Sequence, residues 1–324
     1  MVFDTKQDVF GGIMQLIKDT IDLSSYMDEQ VTHAIEGASN WMQGVIDHFF
    51  KPPDAPKSRL PWICTQSVFN FRPGEVTLWA GINGHGKSML SGQVLMALCN
   101  QREKVCLASL EMPPVKTMAR VARQCFGAYE PTIQYIKDLS SWTDGKLWIY
   151  DHLGSCKPAL MLAVIRYAIE KYGITHFFID NMMKVVAGED DYNSQKDFVN
   201  ALCTIAADTG CHMHLILHIK KLKDEETVPN KFDIKGSGAI SDLVDNVFIV
   251  WRNKKKEKVM RETGDTLPDE PDAMLILEKQ RHAEDIDSGA FKLWFDHSSM
   301  QYLENRTDHP RTLSVETYAE SVDF

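Results

Sequence analysis

Hydrophobic and polar positions follow successive patterns along the chain. From Asp28, a residue suited to an N-cap, Val31, Ala34, Ile35, Ala38, Trp41, Met42, Val45, Ile46, Phe49 and Phe50 recur at intervals of three and four, the spacing that lines one helix face. A shorter stripe, Ile13, Leu16, Ile17 and Ile21, precedes it. The pattern predicts a helical arm over residues 1–50, and a face this apolar needs a cover, either a hairpin partner or a neighbouring subunit. The proline-rich KPPDAPKSRLP that follows cannot continue a helix and reads as a linker over 51–61.

From Trp62 short apolar runs alternate with helix-period stretches. Strands are expected at Glu75–Ala80, Val105–Leu110, Leu147–Tyr150, Thr175–Asp180, His212–Ile219 and Asp245–Trp251, and helices at Lys87–Asn100, Pro114–Phe126, Pro158–Tyr172 and Ser194–Thr209. Ala273–Lys279, Gly289–Phe295 and Met300–Leu303 then read as strands with few helices between. This order predicts an α/β domain over 62–304, a mostly parallel sheet flanked by helices and finished by an antiparallel edge. Residues 305–324 are expected to trail as a mobile acidic tail.

Composition narrows the class. An apolar fraction of 44% and a charged fraction of 25% are ordinary for a globular chain. No run reaches the ~18 apolar residues of a membrane helix and the start lacks a signal-peptide pattern, so the expected location is cytoplasmic, with no membrane partner. Seven cysteines, none in a C-x-x-C pair, read as reduced core residues. Alternation puts Cys211 and Met213 on one strand face and His212 and His214 on the other, against a metal site there. A net charge of −10 excludes a wholly basic nucleic-acid coat but leaves room for a local basic channel.

Gly81-Ile82-Asn83-Gly84-His85-Gly86-Lys87-Ser88 fits the phosphate-loop pattern G-x-x-x-x-G-K-S/T between an expected strand and an expected helix. Backbone N–H groups of Gly81, Asn83, Gly84, His85 and Gly86 would wrap a triphosphate, Lys87 would reach its outer phosphates, and Ser88 would ligate Mg²⁺. Asp180 ends an apolar strand where a second Mg²⁺-side carboxylate is needed. Glu111 follows KVCLASL, a strand expected near the loop-bearing one, and would orient or deprotonate water; His218 ends HLILH, placed to sense the terminal phosphate.

Six blocks in order, GINGHGKS, SLEM, FFIDN, LILHIKK, KGSGAISDLVDNVFIVWRN and KQR, resemble the RecA-like motor of DnaB-type ring helicases, over roughly Trp62–Leu303. The resemblance implies a RecA-like fold with an N-terminal arm packed on the neighbouring subunit. It also implies ATP or another NTP or dNTP with Mg²⁺, a homo-oligomeric, hexameric ring, and 5′-to-3′ movement on single-stranded DNA that unwinds duplex. It makes Glu111 the catalytic glutamate, Asp180 the Mg²⁺-side aspartate, and His218 a γ-phosphate sensor as in the phage and mitochondrial branch. Arg281 becomes an arginine finger reaching the adjacent subunit's nucleotide with Lys279 beside it, and Phe295 a residue near the base. Lys220, Lys221, Lys223, Lys231, Lys235 and Gly236 would belong to a channel loop holding the strand's phosphates, with little base reading.

Beside that resemblance, the expectation is a motor without the amino-terminal helical domain of bacterial members and without a primase or zinc module. Histidine at 218 points to one branch and Lys279-Gln280-Arg281 to the other. Primase, polymerase or loader are the remaining candidate partners, with a bacterial or phage-infected cytosol as the setting. Two other readings stand beside the helicase: a RecA-like nucleic-acid-binding ATPase acting as an assembly switch without unwinding, and a small-molecule P-loop kinase. The run Arg252–Lys258 reads as a solvated turn.

Overall fold

A computed structural model describes residues 16–18, 22–27, 37–50, 58–186, 191–219, 224, 226–234, 238–283 and 288–315. Its strands are β1 (Leu16–Lys18), β2 (Val76–Gly81), β3 (Val105–Ser109), β4 (Leu147–Asp151), β5 (His176–Asp180), β6 (His212–His218), β7 (Asn246–Arg252), β8 (Ala273–Gln280), β9 (Gly289–Asp296) and β10 (Gln301–Leu303). Its helices are α1 (Met42–Phe50), α2 (Lys87–Asn100), α3 (Pro114–Phe126), α4 (Ile133–Thr143), α5 (Pro158–Tyr172), α6 (Tyr192–Thr209), α7 (Gly238–Leu243) and α8 (Lys254–Thr263).

The strands form one sheet in the order β1-β4-β3-β5-β6-β2-β7-β8-β9-β10. Every pairing from β1 to β7 is parallel, and β7, β8, β9 and β10 pair antiparallel, the mixed sheet that the alternation predicts. Strand alternation decides which core each side chain joins. Val76, Leu78 and Ala80 of β2 pack with α5 and α6 on one face, while Trp79 faces α2, α3 and α4 on the other with Phe248 and Phe178. Among the described residues no helix is long and apolar enough to cross a membrane.

The expectations fail at several places. KVCLASL forms β3, but β5 and β6 lie between it and the loop-bearing β2. Leu16–Lys18 is a short strand on the sheet edge, paired in parallel with Ile149–Asp151, where a helical arm is expected; three residues of apolar pattern fit either period. From Ala38 a 3₁₀ turn leads into α1, while residues 28–36 lie outside the described residues.

The basic run after β7 is not a turn. Asn253 accepts the backbone N–H of Lys256 as N-cap of α8, and Lys256 is buried with its ammonium 2.8 Å from Asp272. The segment after β10 is not free either as far as it is described. Leu313 N donates to Cys125 O at 2.7 Å, Gln301 and Arg311 exchange two bonds, and Val315 is buried; 316–324 lie outside the described residues. On the linker side, Ser58 already bridges Phe71, while 51–57 lie outside the described residues.

Candidate nucleotide site

The chemistry collects at the carboxyl ends of four adjacent parallel strands. Register sets Gly81 of β2 beside His218 of β6, and Ser109 of β3 beside Asp180 of β5. Loop residues therefore leave one edge of the sheet together, as crevices at strand ends do in open α/β folds.

The loop is shaped by close approach. A Cβ on Gly81 would lie 2.4 Å from Val250 O, and one on Gly86, at φ +85°, would lie 2.1 Å from the Tyr302 hydroxyl. Only glycine lets the backbone turn in that space. α2 then begins at Lys87, and its first-turn N–H groups point out of the helix end. Lys87 is buried (6% exposed) and donates to Gly81 O and Ile82 O, both at 2.9 Å. Burial pulls its pKa down to about 8 against the opposing pull of Asp180 and Glu111. A cation desolvated in this way gains from an anion, so the loop fits a phosphate group.

Burial raises the Asp180 pKa, and Glu111 raises it further; the Ser88 hydroxyl, by hydrogen bonding, and Lys87 and Arg120 act the other way. Ser88 and Asp180 are thus hydrogen-bonded neighbours, the kind of paired oxygen donors that would suit a Mg²⁺ ion. Arg120 on α3 is a cation that the motif reading missed; burial lowers its pKa, and the charges of Asp180 and Tyr302 oppose that.

Asn181 is the second missed residue. It is 1% exposed, follows Asp180 across a cis peptide bond, and donates its amide N–H groups to Glu111 Oε1 at 2.8 Å and His218 Nε2 at 3.1 Å. Lys184, one short turn further on, sits 3.9 Å from the same Glu111 oxygen. The place of Asn181 directly after a strand-end carboxylate was the available signal.

Two expected residues stand differently. The His85 ring is buried and accepts the Arg252 backbone N–H at 3.1 Å, so the side chain braces the loop on β7 and leaves only the backbone N–H for the loop's cradle; burial first, then nearby cations, take its pKa down to about 4. Phe295 packs edge-on against His297 and tilted against Tyr302, the ring that abuts Gly86, one side chain removed from the loop. Asn83 and Gly84 stay in the loop, Gly84 at φ +80°.

Arg281 and Lys279 are not at this edge. β8 runs antiparallel to β7 and pairs Gln280 with Asn246, and Asn246 in turn pairs with Thr77 near the start of β2. Both residues therefore sit at the opposite edge, about 10 Å of extended strand before Ala80, with the loop beyond it. Arg281 binds Asp245 Oδ1 at 2.9 Å and the carbonyls of Asp242 and Leu243, and Lys279 caps Ser241, Asp242 and Val244. Burial is the first cause that lowers the Lys279 pKa.

After His218 the chain makes an excursion closed at its base by a bridge between buried Ile219 and Ile234. Lys231 lies on its Lys231–Asp233 turn, with its ammonium 5.6 Å from the exposed Phe232 ring. Lys220, Lys221, Lys223, Lys235 and Gly236 lie outside the described residues. A groove of about 700 Å³ along α2, lined by Trp62, Gln93, Met96, Tyr302, His309 and Leu313 among others, carries none of the expected site residues. Among the described residues no cluster of His, Cys, Asp or Glu could by itself hold a metal ion.

A parallel sheet opening into a glycine loop and helix, with strand-end carboxylates on neighbouring strands, defines a P-loop fold of the RecA-like kind. The chain belongs to the AAA domain family, whose model matches residues 47–224, from within α1 into the excursion after His218 and short of Arg281. It is 25% identical over 217 residues to the Twinkle homolog protein, chloroplastic/mitochondrial, of Arabidopsis thaliana, a match covering 60% of this chain and 30% of that protein. Its fold is that of a solved ATPase domain (TM-score 0.68, 14% identity, 83% of this chain and 99% of that one). A DnaB-like replicative helicase, solved in a study of its interactions with primase, matches equally (TM-score 0.68, 13% identity, 83% and 68%). The likeness to these two solved structures is one of fold, the RecA-like arrangement of sheet, loop and flanking helices.

Proposed function

We propose that the chain is the motor of a ring-forming, ATP-hydrolysing DNA helicase that moves 5′ to 3′ on single-stranded DNA. One observation carries the reading: Lys87, Glu111, Asp180 and His218 share one sheet edge while Arg281 and Lys279 occupy the other. A guanidinium directed away from its own phosphate loop serves a neighbour's, so each site is half of a subunit interface. α1 supports the same arrangement, because Val45, Ile46, Phe49 and Phe50 are exposed on it, and so are Ile133 and Ile136 of α4. Such non-identical apolar patches suit head-to-tail contacts that close into a hexameric ring.

In this mechanism the loop amides and Lys87 would hold the triphosphate, and Ser88 and Asp180 would hold Mg²⁺, which would supply charge neutralisation on the phosphates. Glu111 accepts the proton of the attacking water, and His218 registers the terminal phosphate. Since Ile219 begins the lysine-bearing excursion, a shift at His218 passes directly into the DNA contacts. Primase or a loader would dock outside this motor.

The capture of Arg281 by its own Asp245 favours a second reading, an ATPase that binds nucleic acid as an assembly switch without unwinding. Hydrolysis with and without single-stranded DNA, and unwinding of a forked duplex on the same sample, separate the two. The helicase reading expects stimulation and strand release; stimulation without strand release would leave the switch.

A further inference from the structure

The amide orientation at Asn181 is dictated by chemistry. A carboxylate only accepts hydrogen bonds, so the group facing Glu111 Oε1 is the NH₂, and the same nitrogen faces His218 Nε2. His218 must therefore offer a lone pair at Nε2 and carry its proton on Nδ1. Because Nδ1 is buried, contact of this ring with a phosphate oxygen falls to Nε2 and requires the reverse, a proton on Nε2. One nitrogen cannot accept from Asn181 and donate to a phosphate at once. The Asn181 carbonyl Oδ1, buried and without a hydrogen-bond partner in this arrangement, is the acceptor that a turned-over amide would present.

We propose that Asn181 is a positioning residue that couples the catalytic carboxylate to the phosphate sensor. With His218 accepting, Asn181 occupies a Glu111 lone pair and, together with Lys184, holds the carboxylate away from its task. When His218 donates to a terminal phosphate, the Asn181 amide turns, the bond to Glu111 breaks, and Glu111 is free to accept the proton of water. No covalent bond is made by the coupling itself; one proton changes place between the two imidazole nitrogens through solvent. His218 ends the strand from which the lysine-bearing excursion leaves, so the same step ties hydrolysis to occupation of that excursion.

The idea rests on the hydrolytic reading of the site and is tested separately from it. Full-length protein carrying Asn181→Ala should show nucleic-acid-independent ATP turnover raised about tenfold, the scale of one charge-assisted hydrogen bond. The ratio of DNA-stimulated to basal rate should fall toward one, with KM for ATP within about twofold of wild type. Asn181→Asp, equal in shape but unable to donate, should behave as Asn181→Ala does. Lower basal and stimulated rates in equal proportion, or an Asn181→Asp protein matching wild type, would overturn the coupling. Imidazole ¹⁵N shifts of His218 give a readout that needs no turnover: Nδ1–H in the free protein and Nε2–H with a non-hydrolysable ATP analogue. An unchanged tautomer with the analogue bound overturns the proposal, whereas wild type that binds the analogue and hydrolyses nothing overturns the function and leaves the tautomer result standing.

Discussion

The two edges of the parallel sheet carry similar kinds of polar side chain and treat them in opposite ways. At the loop edge Lys87, Asp180 and Glu111 meet with few mutual bonds, and Lys87 directs its protons to backbone carbonyls. At the far edge polar groups are closed upon each other. Asn246 donates to Glu75 and Thr77, Asp245 binds Arg281 and the Val76 N–H, His212 bonds Thr77 and the Arg72 carbonyl, and His176 bonds His214. Loosely held charge is chemistry in waiting, while mutually satisfied charge is structure. Arg281 is the exception that makes the difference informative, because its chemistry depends on leaving a bonded state.

Variants at each edge should separate these roles. Lys87→Ala should lower turnover by roughly 10²-fold or more, the cost of one preorganised charge at the phosphates, while leaving thermal unfolding nearly unchanged; a large fall in Tm with residual activity would make Lys87 part of the scaffold. The smaller effect belongs to the far edge. Burial takes the pKa of His176 to about 3 and, joined by His176, that of His212 to about 3, and holds His214 well below the ordinary value. These rings stay neutral when folded and take up protons when unfolded below about 6.5, so their contribution is complete above that pH and is lost as pH falls toward about 3. Urea unfolding at pH 7.5 and pH 5 should show the lower stability at pH 5, and Asn substitution of His214, which receives the Trp79 indole N–H, should reduce that difference. A pH-independent midpoint would remove the histidines from the account of the far edge.

Much of the loop edge is legible in the sequence because its signals are local. The glycine loop, the carboxylate ending a strand and SLEM are each contiguous, and unbroken apolar runs tell which strands are buried on both faces. What escapes is set by distance along the chain. Asn181 meets Glu111 and His218 at separations of 70 and 37 residues, and nothing in its spacing announces either partner. The order of strands is likewise not local, which is why β3, expected near β2, stands with two strands between. α8 escapes because its helix is held by an Asn253 cap and ion pairs such as Arg252 with Glu257, without an apolar stripe. The engagement of Arg281 with α7 carbonyls also has no motif, so KQR could be placed in order but not oriented.

The central claim is that each site is completed by the next subunit, and mixing two inactive proteins tests it most directly. Lys87→Ala lacks a phosphate cradle and keeps Arg281; Arg281→Ala has the reverse defect. Assembled together in equal amounts, roughly a quarter of head-to-tail interfaces pair an intact cradle with an intact finger. Each variant alone should hydrolyse little ATP, Arg281→Ala should still bind nucleotide, and the mixture should recover a measurable fraction of wild-type turnover under assembling conditions. An Arg281→Ala protein that hydrolyses normally, or a mixture that assembles and recovers nothing, would contradict the shared site.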